Sequence, residues 1–210
     1  MGSFWDSSWE SIDPERIAEY VSDFDLEADG IIDYLHEQGA KTVCDAGCGC
    51  GIYALKLASN GFTVSGFDVS AHAVEIARKL LEEAPVKAEL KTASILETGY
   101  SDNQFDGVVS RDVVDHMGKA DAMAAIRELC RITKPGGVIV ITLDHPDEEY
   151  ETEPHIVNAD GDYVFTEGKW EGMVFHPYSE QEVMEMIPAG TTCHMENGDE
   201  IVIKLTKTPA

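Results

Sequence analysis

Between Lys41 and Asp144, short apolar runs alternate with segments of helical periodicity, and this alternation restricts the possible folds more than any other feature of the chain. The order is KTVCDA, helix IYALKLASN, strand FTVSGFD, helix AHAVEIARKLLEEA, strand VKAELKTA, strand FDGVVS, helix ADAMAAIRELCRIT, a KPGG turn and strand VIVITLD. Strands joined through helices of this length must cross over and lie parallel, with helices on both faces. The expected class is therefore α/β, a doubly wound and mostly parallel sheet.

The flanks behave differently. Residues 1–40 read as an N-terminal helical cover, with Asp13-Pro14 as the start of a helix over PERIAEYVSDF and a second helix carrying Ile31, Ile32 and Leu35 as far as Gly39. After Asp144 the alternation stops. Residues 145–177 are acidic, aromatic and broken by Pro and Gly, which predicts a lid insertion in which DGDYVFTEGKWEGMVF could form an antiparallel hairpin. Residues 178–210 read as a helix, SEQEVMEMI, and two strands around Asn197-Gly198, a strong hairpin signal. The last strand would then run antiparallel, giving seven strands and, with no internal repeat or linker, a single domain with an insertion.

The informative segment is Val43-Cys44-Asp45-Ala46-Gly47-Cys48-Gly49-Cys50-Gly51, a strand that enters three alternate glycines and then a helix. Glycine permits positive φ and close approach of backbone to a ligand, here at a helix N-terminus. The spacing discriminates among ligands. A dinucleotide fingerprint begun at Gly47 would need a third glycine where Ile52 stands, and no Gly-Lys-Ser or Gly-Lys-Thr closes a Walker loop. Asp45, two residues before the first glycine, would repel a pyrophosphate and attract an ammonium or sulfonium. Asp68 ends the next strand 17 residues beyond Gly51, where a carboxylate can accept from both ribose hydroxyls; the competing reading is a cap for the helix that starts at Ser70.

Together, DAGCGCG, GFDVS, FDGVVSRDVVDHM and KPGGVIVIT resemble the successive motifs of the class I S-adenosylmethionine-dependent methyltransferases, over about residues 41–144. The resemblance implies a Rossmann-like fold, S-adenosyl-L-methionine as cofactor with S-adenosyl-L-homocysteine as its product, and a small-molecule methyl acceptor. It implies that Asp45 and the Ala46, Gly47, Cys48 and Gly49 segment hold the methionine end, Asp68 the ribose, and Val69, Ser94 and Ile95 the adenine. The backbone around Ser110 and Arg111 would face the ligand's amino group. The family usually places an acidic residue where Ala93-Ser94-Ile95 stands, so Ser94 would accept more weakly from the adenine amine. Two alternatives remain at this stage: a module that binds the cofactor without chemistry, and a nicotinamide-dependent reductase.

Forty Asp and Glu against 15 Lys and Arg give a net charge of −25, which argues against nucleic acid or anionic membranes as partners. That charge reads as serving solubility, with steering of a cationic substrate as the rival. The N-terminus lacks a basic region and an apolar core, and no apolar stretch approaches a membrane span, so the cytoplasm is the expected compartment. Cys44, Cys48 and Cys50 lack zinc spacing; no metal is expected, and exposed Cys48 or Cys50 would be at most redox sensors. His116, His145, His155 and His176 fall above the carboxyl ends of the strands, and His145 and His116 are the candidate bases, with Asp112 and Asp115 nearby in sequence. Trp5, Trp9, Tyr150, Tyr163 and Trp170 would close the pocket or form the lid core. The sequence leaves the oligomeric state open.

Overall fold

The computed structural model describes residues 2–10, 12–17, 21, 25–146 and 148–209. A helix precedes the expected one: α1 spans Gly2–Glu10, and Asp13 caps only a 3-10 turn at Pro14–Arg16, accepting from the Glu15 amide at 3.0 Å. Part of the helix expected beyond Ile17, at 18–20 and 22–24, falls outside the described residues. Helix α2 (Gly30–Glu37) starts where the Asp29 carboxylate accepts from the Ile31 and Ile32 amides, and buries Ile31, Ile32 and Leu35.

The alternating region then follows its pattern: β1 (Thr42–Ala46), α3 (Ile52–Ser59), β2 (Thr63–Asp68), α4 (Ala71–Glu82), β3 (Ala88–Thr92), β4 (Phe105–Arg111), α5 (Lys119–Ile132) and β5 (Thr133–Asp144). Val43, Cys44, Asp45 and Ala46 are all buried, as a strand covered on both faces requires. In α4 the Ser70 hydroxyl accepts from the Ala73 amide, and Ile76 and Leu80 pack inward, contributing about 1.5–3 kcal/mol each. KPGG, expected as a turn, lies within β5 as an irregularity. Thr133 pairs with Phe105, the register then jumps to Val138 against Gly107, and Gly136 at φ +78° absorbs the excursion.

The insertion forms α6 (Glu148–Thr152) and a three-stranded antiparallel sheet, β6 (His155–Val157), β7 (Tyr163–Phe165) and β8 (Val174–Phe175). This is one strand more than the hairpin expectation. Phe165, Met173 and Phe175 are its core, and Tyr150 stacks on Phe175 with ring centroids 4.3 Å apart. The chain finishes with α7 (Glu180–Met186), opened by a Ser179–Glu182 capping box, and strands β9 (Thr191–Asn197) and β10 (Glu200–Lys207).

The main sheet has seven strands in the order β3-β2-β1-β4-β5-β10-β9, with β10 antiparallel to both neighbours. After β3 the chain returns to the other side of β1, so the crevice above the carboxyl ends of β1 and β4 is the topological switch point, where open α/β sheets take ligands. Among the described residues, no helix is long and apolar enough to cross a membrane.

Candidate active site

A cavity of about 470 Å³ occupies that switch point. Gly47 and Gly49 reach it from the loop after β1, Asp68 and Val69 from the end of β2, Ser94 and Ile95 from the segment after β3, and Arg111 from the end of β4. These residues come together although 64 positions separate Gly47 from Arg111. Asp45, Ala46 and Cys48 do not line it.

The loop is held tightly. Gly47 and Cys48 both donate their amides to the Phe67 carbonyl at 2.9 Å, and Gly47, Gly49 and Gly51 all take positive φ. A Cβ on Gly47 would lie 2.4 Å from Val113 Cγ2, so a side chain there is opposed by conformation and by space. Asp68 is neither a free ligand nor the helix cap, which is Ser70. Its Oδ2 accepts from the Gly49 amide and its Oδ1 from the Ser70 amide, each at 2.9 Å. Burial pushes its carboxyl up, and those amides oppose the rise. A carboxylate offers about four lone-pair directions, so both oxygens keep capacity for a pair of hydroxyls.

Asp45 is 2% exposed and its Oδ2 has no hydrogen-bond partner among the described residues. Burial pushes its pKa up to about 7, against the pull of the Arg111 guanidinium. Arg111 places its Cζ 4.8 Å from the Tyr53 ring centroid, and its buried Nε is likewise unpartnered among the described residues. The Ser94 hydroxyl accepts from the Leu96 amide at 3.2 Å, so part of its hydrogen-bonding capacity already shapes the turn.

The two candidate histidines separate. His116 lines the cavity, with the Trp5 ring edge-on at 5.0 Å and Phe175 at 5.9 Å. Burial lowers its pKa, so the ring is held neutral, and its Nδ1 is buried without a partner among the described residues. His145 lies off the cavity, where its Nε2 pairs with Asn197 Oδ1 at 3.0 Å on the terminal hairpin. His155 stacks on Tyr163 inside the lid, and His176 pairs with Asp162 at 2.7 Å and with Glu182 at 3.4 Å.

Sequence reasoning missed Val113, Met117 and Asp121, which follow β4 and complete the wall. Their only signal was proximity to the fourth strand. The cover meets expectation in Trp5 and Trp9 of α1, which line the cavity, and departs from it in the insertion, where no described residue of 145–177 does. The insertion instead backs His116 through Phe175, and Tyr150, Tyr163 and Trp170 belong to its own aromatic core. Cys48 is buried rather than exposed, and burial pushes the Cys48 and Cys50 thiols up, away from thiolate reactivity. Among the described residues, one group could hold a cation: carboxylate oxygens of Asp112, Asp144 and Glu200 lie within 4.8 Å of one another.

Comparison with known proteins bears on this geometry. Residues 43–137, from β1 into β5, match the family described as "Methyltransferase domain". The segment from β1 into β5 is thus similar to methyltransferase domains, in line with the resemblance its motifs carry. The chain is 30% identical over 66% of its length, and 56% of the relative, to a ubiquinone biosynthesis O-methyltransferase of Alkalilimnicola ehrlichii. The namesake from Thiobacillus denitrificans is 35% identical over 52% of the chain and 47% of the relative. The chain thus spans about half the length of the curated relatives it matches. Among solved structures, a methyltransferase from Methanosarcina mazei superposes with a TM-score of 0.74, covering 88% of this chain and all of that one; at 19% identity this likeness concerns the fold.

Proposed function

We propose that this chain transfers a methyl group from S-adenosyl-L-methionine to a small-molecule acceptor. The single observation that carries the reading is the pairing of a side-chain-free cradle at Gly47 and Gly49 with the Asp68 carboxylate on one cavity. The residues fit an amino-acid nucleoside better than a dinucleotide. The orphaned Asp45 Oδ2 suits an ammonium group, and buried Asp45 and Asp68 would repel a pyrophosphate.

When bound, S-adenosylmethionine supplies a sulfonium methyl already activated for in-line displacement. The task left to the chain is alignment, which can contribute roughly 7–11 kcal/mol of barrier reduction. Gly47 and Gly49 would admit the methionine end to the backbone, Asp45, buried behind that loop, would offset its ammonium charge from there, and Asp68 would hold the ribose between two anchored oxygens. Val69, Ser94 and Ile95 would flank the adenine, and Arg111 keeps the buried Asp45 partly compensated. Trp5 and Trp9 exclude water from the opposite side. His116, neutral and on the same wall, is the group that takes a proton from the acceptor.

Calorimetric titration with S-adenosylhomocysteine tests the reading. Saturable one-to-one binding with no heat from NADH is the expected result. Binding of NADH with none of S-adenosylhomocysteine would overturn the proposal in favour of a nicotinamide enzyme.

A further inference from the structure

Beyond the cofactor residues, the cavity wall consists chiefly of Trp5, Trp9, Asp112, His116, Met117 and Asp121. We propose, resting on the methyltransferase reading above, that the methyl acceptor is a small amine, recognised in its ammonium form by carboxylates and aromatic faces at this end of the cavity.

The electrostatic layout points this way. Asp112 holds a left-handed backbone, φ +54°, that non-glycine residues adopt only when their surroundings impose it. Thr142 imposes it from β5: its hydroxyl donates to Asp112 Oδ1 at 2.6 Å and receives the Asp112 amide at 3.2 Å. The carboxylate is thereby fixed at the wall, with those of Asp144 and Glu200 behind it. Asp115 lies fully buried in the same region, one oxygen receiving the Asp144 amide at 2.9 Å and the other without a partner among the described residues. Burial, with Asp112 and Asp144 adding repulsion, pushes its pKa up to about 7. Asp121 adds a carboxylate from the first turn of α5. Arg111 is the one guanidinium on the wall, and its charge already acts on Asp45 and Glu200.

This arrangement discriminates between acceptor atoms. An oxygen acceptor must approach an alkoxide or phenolate to attack, and anionic character gains only repulsion from Asp112, Asp121 and the carboxylates behind them. A nitrogen acceptor is neutral when it attacks and becomes positive as the bond forms. Fixed carboxylates stabilise that developing charge without reorganising, and the Trp5 and Trp9 rings suit a cation as well. In the balanced step, the bound ammonium gives its extra proton to His116 and the freed lone pair forms the N–C bond. The S–C bond breaks with its electron pair left on sulfur, a methylammonium product leaves, and the imidazolium returns its proton to water.

The test uses three probes that differ only at one end: phenethylamine, phenethyl alcohol and phenylacetate, titrated calorimetrically into protein saturated with S-adenosylhomocysteine. The amine is expected to bind at least about tenfold tighter than the alcohol, as a charge-assisted hydrogen bond would give, and phenylacetate not to bind. Asp121→Asn should weaken the amine by up to about fivefold, the ceiling for an exposed charge pair. Tyramine, with an amine and a phenol in one molecule, should carry the transferred methyl on nitrogen when its fragments are weighed by mass spectrometry. Alcohol binding as tight as amine, binding of phenylacetate, methylation of the phenol oxygen, or catechol binding that appears only with Mg2+ would each overturn the amine proposal. The amine proposal then falls alone if S-adenosylhomocysteine still binds; if it does not, the methyltransferase reading falls as well.

Discussion

Replacing Gly47 by alanine separates the two reasons this position carries no side chain. Its φ is +82°, and for an L-residue the left-handed region costs about 1–2 kcal/mol. The new methyl would also meet Val113 Cγ2 at 2.4 Å, inside any contact a real Cβ makes, and overpacking of that kind costs about 1–3 kcal/mol. Gly47→Ala should therefore destabilise the fold by roughly 2–5 kcal/mol in urea unfolding, with an unchanged m-value. The Gly47→Ala/Val113→Ala double variant separates the parts: compared with Val113→Ala alone, the added methyl should cost chiefly the conformational part, about 1–2 kcal/mol, because only the tight 3.3 Å approach to the Cβ of residue 113 remains. S-adenosylhomocysteine affinity should fall in both Gly47 variants, because the methyl also occupies cavity wall. A Gly47→Ala protein within about 0.5 kcal/mol of the parent, the ordinary range for an unconstrained surface site, would refute this account of the loop.

Asp45 and Asp115 both have pKa values near 7 in the folded chain, well above the unfolded carboxyl, so the folded state binds these protons more tightly. Stability should then be lost as pH rises from about 4 to about 7, and Asp45→Asn should melt above the parent at pH 8 and converge with it at pH 4.5. S-adenosylhomocysteine affinity should move the opposite way, weakening by up to about tenfold per pH unit below pH 7 in the parent and remaining flat in Asp45→Asn. The buried His176–Asp162 pair ties the insertion to α7 through Glu182, so Asp162→Ala should destabilise the chain by about 3–5 kcal/mol and open residues 155–175 to limited proteolysis. Protease resistance equal to the parent would show that the aromatic core holds the lid without it.

What was legible in the sequence was whatever depended on local periodicity and spacing. The strand–helix alternation fixes the sheet because each short apolar run has only one way to bury both faces. The glycines at 47 and 49, with Asp68 at the next strand end, mark the cavity because all three sit where the loop after β1 meets the end of β2. What was illegible depended on register between distant segments. His145 and His116 both follow strands, and only the Asn197 carboxamide on β9 shows that His145 faces the hairpin. Asp144 and Glu200 meet because β10 pairs with β5 in one register, 56 residues apart in sequence, and nothing local announces it. In helix α1 Trp5 and Trp9 stand at i and i+4 on one face, but nothing local says that this face meets the cavity.

The net charge shows the same division between local and tertiary information. An excess of 25 carboxylates reads as a solubility device, and on the outer surface that reading suffices. It does not account for Asp45 and Asp115, which are 2% and 0% exposed and present nothing to bulk water. A buried carboxylate without a complete set of partners lowers stability, so its presence calls for compensation from outside the chain. The two proposed cations would supply that compensation from the cavity: the ammonium of an amino-acid nucleoside across the glycine loop from Asp45, and an amine acceptor on the side of Asp112, with Asp115 behind it. The two buried carboxylates are thus better explained as a template for two positive charges than as part of the surface field.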